Sequence, residues 1–403
     1  MAAGVIEALG NRDIPFLKDL SRRTGLAKDL STYFIKYDES KQQHVGMLTL
    51  VQPDSIIHHS INHTSTVTGR FSSTSPNLQN IPKGNKSKVK QVFRSRFEGG
   101  KIIQSDFTAL EIYIQAILTG DKQLIKDLVE GLDMHCARVA SVYHIPYEEA
   151  FRLCKVEEVD EWPYRRTKAK VFSFQRAYGA GAALIAESTG MTREEVDALI
   201  EAEELRYPEI ERFYFRIGAA IEASKRGIRK TIPHPDYPAK QVELRTGYYR
   251  TPDNTLYAYI EQPSPKFVVD REGRWSGFSP TEIKNYVVQG EGAMWAKAAM
   301  WLVVRAYYAR RNFDGKALLI NQVHDACYAD AHKDVAFEAA ALLHACMEAA
   351  SELMETYFGW NIPVHVPSDT MMGDSMAEEK KIEGIKERAA ELRIEITKQY
   401  IKP

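Results

Sequence analysis

Cysteine is scarce in this 403-residue chain: Cys136, Cys154, Cys327 and Cys346 lie far apart and form no CxxC pair. A disulfide framework and a zinc site of paired cysteines are therefore not expected, and the four read as reduced thiols of a cytosolic protein. No window approaches eighteen uninterrupted apolar residues, so no helical membrane span is expected. The N-terminal stretch, with Glu7, Asp13 and Asp19 among its basic residues, resembles neither a secretory signal nor an acid-poor transit peptide. An excess of one charge is lacking too. With 53 basic and 54 acidic residues, a nucleic-acid role would have to rest on local clusters of charge. There is no repeat and no low-complexity segment. What remains is an ordinary globular composition, 44% hydrophobic and 27% charged, on a chain long enough for two or three domains.

Three stretches carry chemistry. In the first, the apolar run Lys101–Gln104 reads as a buried strand, and Ile112–Leu118, stopped by Gly120, reads as a helix. Asp106 then sits where strand gives way to helix, with its carboxylate at an open edge suited to a metal ion. Thr108 and Glu111 also fit a capping box, in which case Asp106 is a plain turn residue. In the second, Pro163 and Gly179 delimit a helix on which Arg166, Lys170, Phe174 and Tyr178 recur every fourth residue. Two cations continuing an aromatic stripe are costly to bury unpaired, which fits a grip on a nucleoside triphosphate. In the third, apolar runs flank His324-Asp325 within 317–330, the pattern of a β-hairpin with a carboxylate near its tip.

The remainder supports these. Residues 68–82 are turn-rich and carry Arg70, Asn77 and Gln79, groups suited to sugar and base edges in a minor groove, or to a solvated loop. Lys83, Lys86, Lys88, Lys90, Arg94 and Arg96 follow within fourteen residues, a solvated face or a phosphate contact. Asp133-Met134-His135 begins a helix, and residues 190–225 read as charged amphipathic helices. Residues 226–282 read as loops and short strands. A long apolar helix over 285–306 carries Asn285, Gln289 and Gly290 in its first turns, suggesting close approach to something polar. Residues 377–403 are densely charged with helical periodicity through Ile385, Ala389, Leu392 and Ile396, either a solvated helix or one that docks a partner.

The segments TGRFSSTSPNLQNIP, SDFTALEIYIQA, RRTKAKVFSFQRAYG and QVHDA, in this order, closely resemble the polymerase region of the family A DNA polymerases, from about Leu17 to Met376. The resemblance implies an α+β right-hand architecture with an antiparallel-sheet palm, mostly helical fingers and a thumb largely absent. It places thumb remnant and palm entry in 1–60, palm in 61–135 and 283–376, fingers in 136–282, and a charged C-terminal helix in 377–403. It implies a template-directed DNA polymerase in which Asp106, Asp325 and the Phe107 carbonyl hold two Mg²⁺ ions, with Mn²⁺ as substitute. A primer 3′-hydroxyl attacks the α-phosphate of a dNTP and pyrophosphate leaves. On the same resemblance Arg166, Lys170 and His135 would neutralise the triphosphate, and Lys170 would protonate the leaving group. Glu111 matches the family position that pairs with the tyrosine here at Tyr178, a pairing that implies exclusion of a ribose 2′-hydroxyl and separates this class from the related RNA polymerases. Phe174 favours a 3′-hydroxyl sugar. Arg70, Asn77, Gln79, Asn285, Gln289 and His324 follow the minor groove and the primer end.

Two positions depart from the family pattern. Ala326 stands where an acid usually follows the second catalytic Asp, and Tyr113 replaces an Arg. Relatives carry an exonuclease domain and a long thumb ahead of this region. The expectation is thus a split enzyme, in a bacterial or phage-infected cytoplasm, whose exonuclease and thumb belong to a separate N-terminal chain. A non-catalytic DNA-binding subunit with the same fold is the alternative.

Overall fold

The computed structural model describes residues 15–82, 87–177 and 180–402, which divide into two compact units. The first unit comprises the described residues of 1–107, 296–350 and 367–403; the second comprises 108–295 and 351–366. The first opens with helix α1 (Pro15–Thr32) and a small antiparallel pair, β1 (Ser60–Asn62) with β2 (Ser72–Thr74). It then forms β3 (Lys101–Phe107), which runs three residues beyond the apolar stretch read from sequence and takes Asp106 into the strand.

The second unit is mainly helical. Its first helix, α2 (Leu110–Thr119), begins without the expected capping box: its N-cap is Ala109, in the left-handed region at φ +50°, and no side chain caps it. The tight left-handed corner between β3 and α2 makes Ala109, not Thr108, the residue before the helix, so Thr108 and Glu111 are out of step for reciprocal capping. Gly120 at φ +64° ends α2, as expected. Helices α3 (Met134–Tyr143), α4 (Trp162–Ala177), α5 (Arg193–Arg206) and α6 (Pro208–Ala223) follow. A true capping box does occur at α5, between Thr192 and Glu195. Much of the stretch read as loops and short strands is an antiparallel meander, β4 (Arg226–Pro233), β5 (Gln241–Arg250) and β6 (Leu256–Ile260). Helix α7 (Pro280–Ala309) follows, its residues 280–295 in the second unit and 296–309 in the first.

The first unit is completed by the hairpin β7 (Ala317–Val323) and β8 (Ala326–Ala331), helix α8 (Ala336–Glu348), β9 (Ser368–Gly373), β10 (Lys380–Lys381) and helix α9 (Ile385–Ile396). The strands form one antiparallel sheet in the order β7-β8-β3-β9-β10. On it packs α8, whose buried alanines 336, 339, 340, 341 and 345 let the helix backbone lie close to the strands. Against α8 lies α9 in turn, through Ile385, Ala389, Leu392 and Ile396. The charged C-terminal helix is therefore neither wholly solvated nor waiting for another chain on that face. Its apolar stripe is used internally, and Arg388–Glu338 and Arg310–Glu395 pairs border it. All four cysteines are buried and unpaired. Among the described residues no helix is long and apolar enough to cross a membrane.

Candidate active site

Within the first unit, strand register places the two candidate carboxylates. Val323 pairs with Ala326, which leaves His324-Asp325 as a two-residue turn, with His324 at φ +55°. Ala326 in turn sits directly opposite Asp106. Asp325 thus immediately precedes the residue facing Asp106 across the β8–β3 pair, and both side chains are half-buried. On the other side of β3, Asp369 is the partner of Asp106. Directly paired residues share a sheet face, so Asp106, Ala326 and Asp369 point the same way.

The turn is clamped from the 68–82 loop. Gln79 Nε2 donates to the Gln322 carbonyl at 2.6 Å, and its Oε1 accepts from the His324 N–H at 2.9 Å. Gln79 is only 8% exposed, so its amide serves the backbone beside Asp325 and not an open groove face as the loop composition suggested. Asn77 stays exposed, its Oδ1 accepting from the Gln79 N–H at 3.0 Å in a local turn. Arg70 is half-buried in the same loop. Of the basic run, Arg96 is committed to Asp330, while Lys83 and Lys86 lie outside the described residues.

A further carboxylate borders Asp106 that the sequence reading passed over. Burial raises the Glu379 carboxyl to about 7, against the opposing charge of Lys90 and with that of Asp106 adding. In the amide orientation that satisfies both its atoms, Gln104 donates to Glu379 Oε2 at 2.6 Å. No local signal marked Glu379 or Asp369: they reach this place through the sheet, not through a motif. Among the described residues no group of three or more His, Cys, Asp or Glu is assembled to hold a metal by itself.

The second unit carries the residues expected to grip a triphosphate, Arg166, Lys170 and His135. Asp133 caps α3, accepting from His135 and Cys136 N–H at 3.0 and 2.9 Å. The same carboxylate receives Arg166 from α4, with Nη2 at 2.6 Å and Nε at 3.2 Å from Oδ2. Burial would raise the Asp133 carboxyl, but Arg166 and the helix N–H groups outweigh it and hold it below the usual range. Lys170, one turn further along α4, is exposed. His135 departs from expectation. Burial first, then the charge of Arg138, lowers its pKa to about 4, so it is neutral near pH 7 and adds no positive charge. Ser173 spends its hydroxyl proton on the Ala169 carbonyl at 2.7 Å, so the His135 Nδ1–H is the donor to Ser173 Oγ at 3.2 Å.

Glu111 stands half-buried in the first turn of α2, and Tyr113 is half-buried beside it. Tyr178 and the Phe174 side chain lie outside the described residues. Asn285 is half-buried and Gln289 buried on α7. The polar group that Gly290 admits is Tyr257 of the same unit: a Cβ there would lie 2.0 Å from its hydroxyl. That hydroxyl donates to Glu291 at 3.0 Å, a wholly buried acid whose pKa burial raises to about 8, with the charge of Asp253 adding.

The profile of DNA polymerase family A matches residues 2–378. The thermostable DNA polymerase I of Thermus aquaticus is 29% identical over 371 residues, which are 91% of this chain and 37% of that protein. DNA polymerase I of Lactococcus lactis is 28% identical over 316 residues, 76% of this chain and 31% of that one. The chain thus spans between about a third and two fifths of the length of these relatives. Among solved structures, the POL domain of Pol1 from M. smegmatis in complex with DNA primer-template and dNTP aligns with a TM-score of 0.63 at 21% identity. The alignment covers 94% of this chain and 56% of that one, a likeness of fold.

Proposed function

Because the chain belongs to DNA polymerase family A, we propose that it is a template-directed DNA polymerase that adds dNTPs to a primer 3′-hydroxyl with the aid of two divalent cations. The observation that carries this reading is the register that sets Asp325 one residue before the partner of Asp106. Asp106, Asp325 and the Phe107 carbonyl would hold Mg²⁺, with Mn²⁺ as substitute. The donors fit: they are all oxygen, and two carboxylates leave room for the water and substrate oxygens that Mg²⁺ retains. When bound, such cations make the attacking hydroxyl more acidic and offset charge on the leaving oxygen.

The chain's own residues handle the rest. The bond from the primer oxygen to the α-phosphorus forms as the bond to pyrophosphate breaks, and the hydroxyl proton passes to solvent water. Arg166 exchanges the Asp133 carboxylate for phosphate oxygens, while Lys170 contributes charge and gives a proton to the departing pyrophosphate. His135 contributes a neutral ring. Glu111 with Tyr178 bars a 2′-hydroxyl, and Phe174 suits a 3′-hydroxyl sugar. Arg70, Asn77, Asn285, Gln289 and His324 serve primer-template, with Gln79 acting through the turn it clamps. The first unit's sheet is the palm, and the helices after Asp133 are the fingers.

Extension of a primer-template duplex with dNTPs and Mg²⁺ tests this. Asp106→Ala and Asp325→Ala are each expected to lower the rate by at least ~10²–10³-fold, as for loss of a group that stabilises transition-state charge. Glu111→Ala should admit rNTPs. Extension by both Asp variants at the parent's rate would overturn the reading and leave a non-catalytic DNA-binding subunit. The same assay, with and without a co-purifying exonuclease-and-thumb polypeptide, tests the split-enzyme expectation.

A further inference from the structure

A set of buried polar groups beneath the sheet has no part in that reaction. Ser105 and Thr370 face each other across β3 and β9, their hydroxyl oxygens 2.7 Å apart. His344 of α8 places Nδ1 2.9 Å from Thr370 Oγ1 and 3.2 Å from Ser368 Oγ. Its Nε2 lies 3.4 Å from Glu348 Oε1, and Glu348 Oε2 lies 3.4 Å from Arg393 Nη1 on α9. A continuous line of contacts thus runs from the C-terminal helix, beyond the residues the family profile matches, to the neighbour of Asp106.

Ser368, His344 and Glu348 have the residue types of a nucleophile, base and acid. With Ser368 and His344 each 1% exposed, no substrate reaches them. Nor is stability their evident gain. The buried residues of α8 and of the strands it covers are otherwise mainly apolar, among them Ile103, Phe107, Cys327, Ala340 and Met347, and polar groups there repay their desolvation only when every partner is met. Apolar side chains of equal volume would hold the layer as well. What hydroxyl and imidazole add is geometry. The Ser105–Thr370 bond fixes the β3–β9 register one residue from Asp106 and its partner Asp369, and a one-residue slip would turn the carboxylate to the other face.

We propose that His344 is a positioning residue for Asp106, holding the β3–β9 pairing through Thr370 and Ser105, with Glu348 and Arg393 of α9 as its outer anchor. This rests on the reading of Asp106 as a catalytic carboxylate. Glu348 suits the role: burial would raise its carboxyl, but His344 and Arg393 hold it below the ordinary range.

Single-nucleotide addition to a hairpin DNA primer, at a temperature well below unfolding, tests it. His344→Gln is expected to lower kcat about ten-fold while KM for dNTP stays within two-fold, and Arg393→Met to act in the same direction more weakly. Ser105→Ala, which removes one hydroxyl, keeps the test available should His344→Gln not fold. It should lower kcat and be non-additive with Arg393→Met. A purely structural role would lower the unfolding temperature and leave kcat unchanged. If Asp106→Ala is inactive while Ser105→Ala and His344→Gln keep the parent's kcat, the positioning role is overturned. If Asp106→Ala itself is active, it is the polymerase reading that fails.

Discussion

In the first unit, Asp106 and Asp325 stand half-buried where strand pairing and its turn put them, and Gln79 bonds the backbone of that turn. In the second, Arg166 is already engaged by Asp133, and His135 is held neutral by burial and a neighbouring cation. The acids are set by register, which changes only if the sheet changes. The bases are set by a side-chain ion pair, which a phosphate can replace. The first unit therefore resembles a fixed seat for a cation, and the second a grip that is taken up on binding.

The sharpest way to break that contrast is at Gln79. If it fixes the Asp325 turn, Gln79→Ala should lower kcat by about 10–100-fold, the range for groups that orient a metal ligand, with KM for DNA little changed. A groove contact would do the reverse, raising KM with kcat intact. A smaller effect is expected at Asp133. Asp133→Ala removes both the α3 cap and the hold on Arg166, so denaturant unfolding should register a loss of about 0.5–2 kcal/mol. The apparent affinity for dNTP should shift without loss of kcat. An unchanged affinity would mean that the ion pair has no bearing on the grip.

The smallest effect concerns pH. His135 is neutral in the folded chain down to about pH 4, whereas unfolded it takes up a proton below its ordinary 6.5. The unfolded state therefore binds more protons across that window, and stability is lost as pH falls from 6.5 towards 4. His135→Gln should remove part of that slope and leave stability above pH 7 nearly unchanged. Identical pH profiles for parent and variant would show that His135 is charged after all.

How far these features were legible in the sequence depends on how local their causes are. The hairpin, β3, α4 and α7 were readable because apolar runs and four-residue spacing act over neighbours. The capping box at Thr108 was misread because Ala109 takes a left-handed corner that no propensity signals. Gln79 looked like a solvent-facing amide, since its two backbone partners lie some 240 positions away. The charge of His135 followed from burial and Arg138, and the place of Glu379 from the edge of the sheet; neither is written in a short motif. The C-terminal helix showed its apolar stripe but not that α8 would cover it.

Direct binding of Mn²⁺, followed by electron paramagnetic resonance on the intact chain without DNA or nucleotide, tests the seat most directly. Cation binding in the parent that is weakened at least ten-fold by Asp106→Asn and again by Asp325→Asn is the expected result. Equal Mn²⁺ binding by the parent and both variants would contradict it.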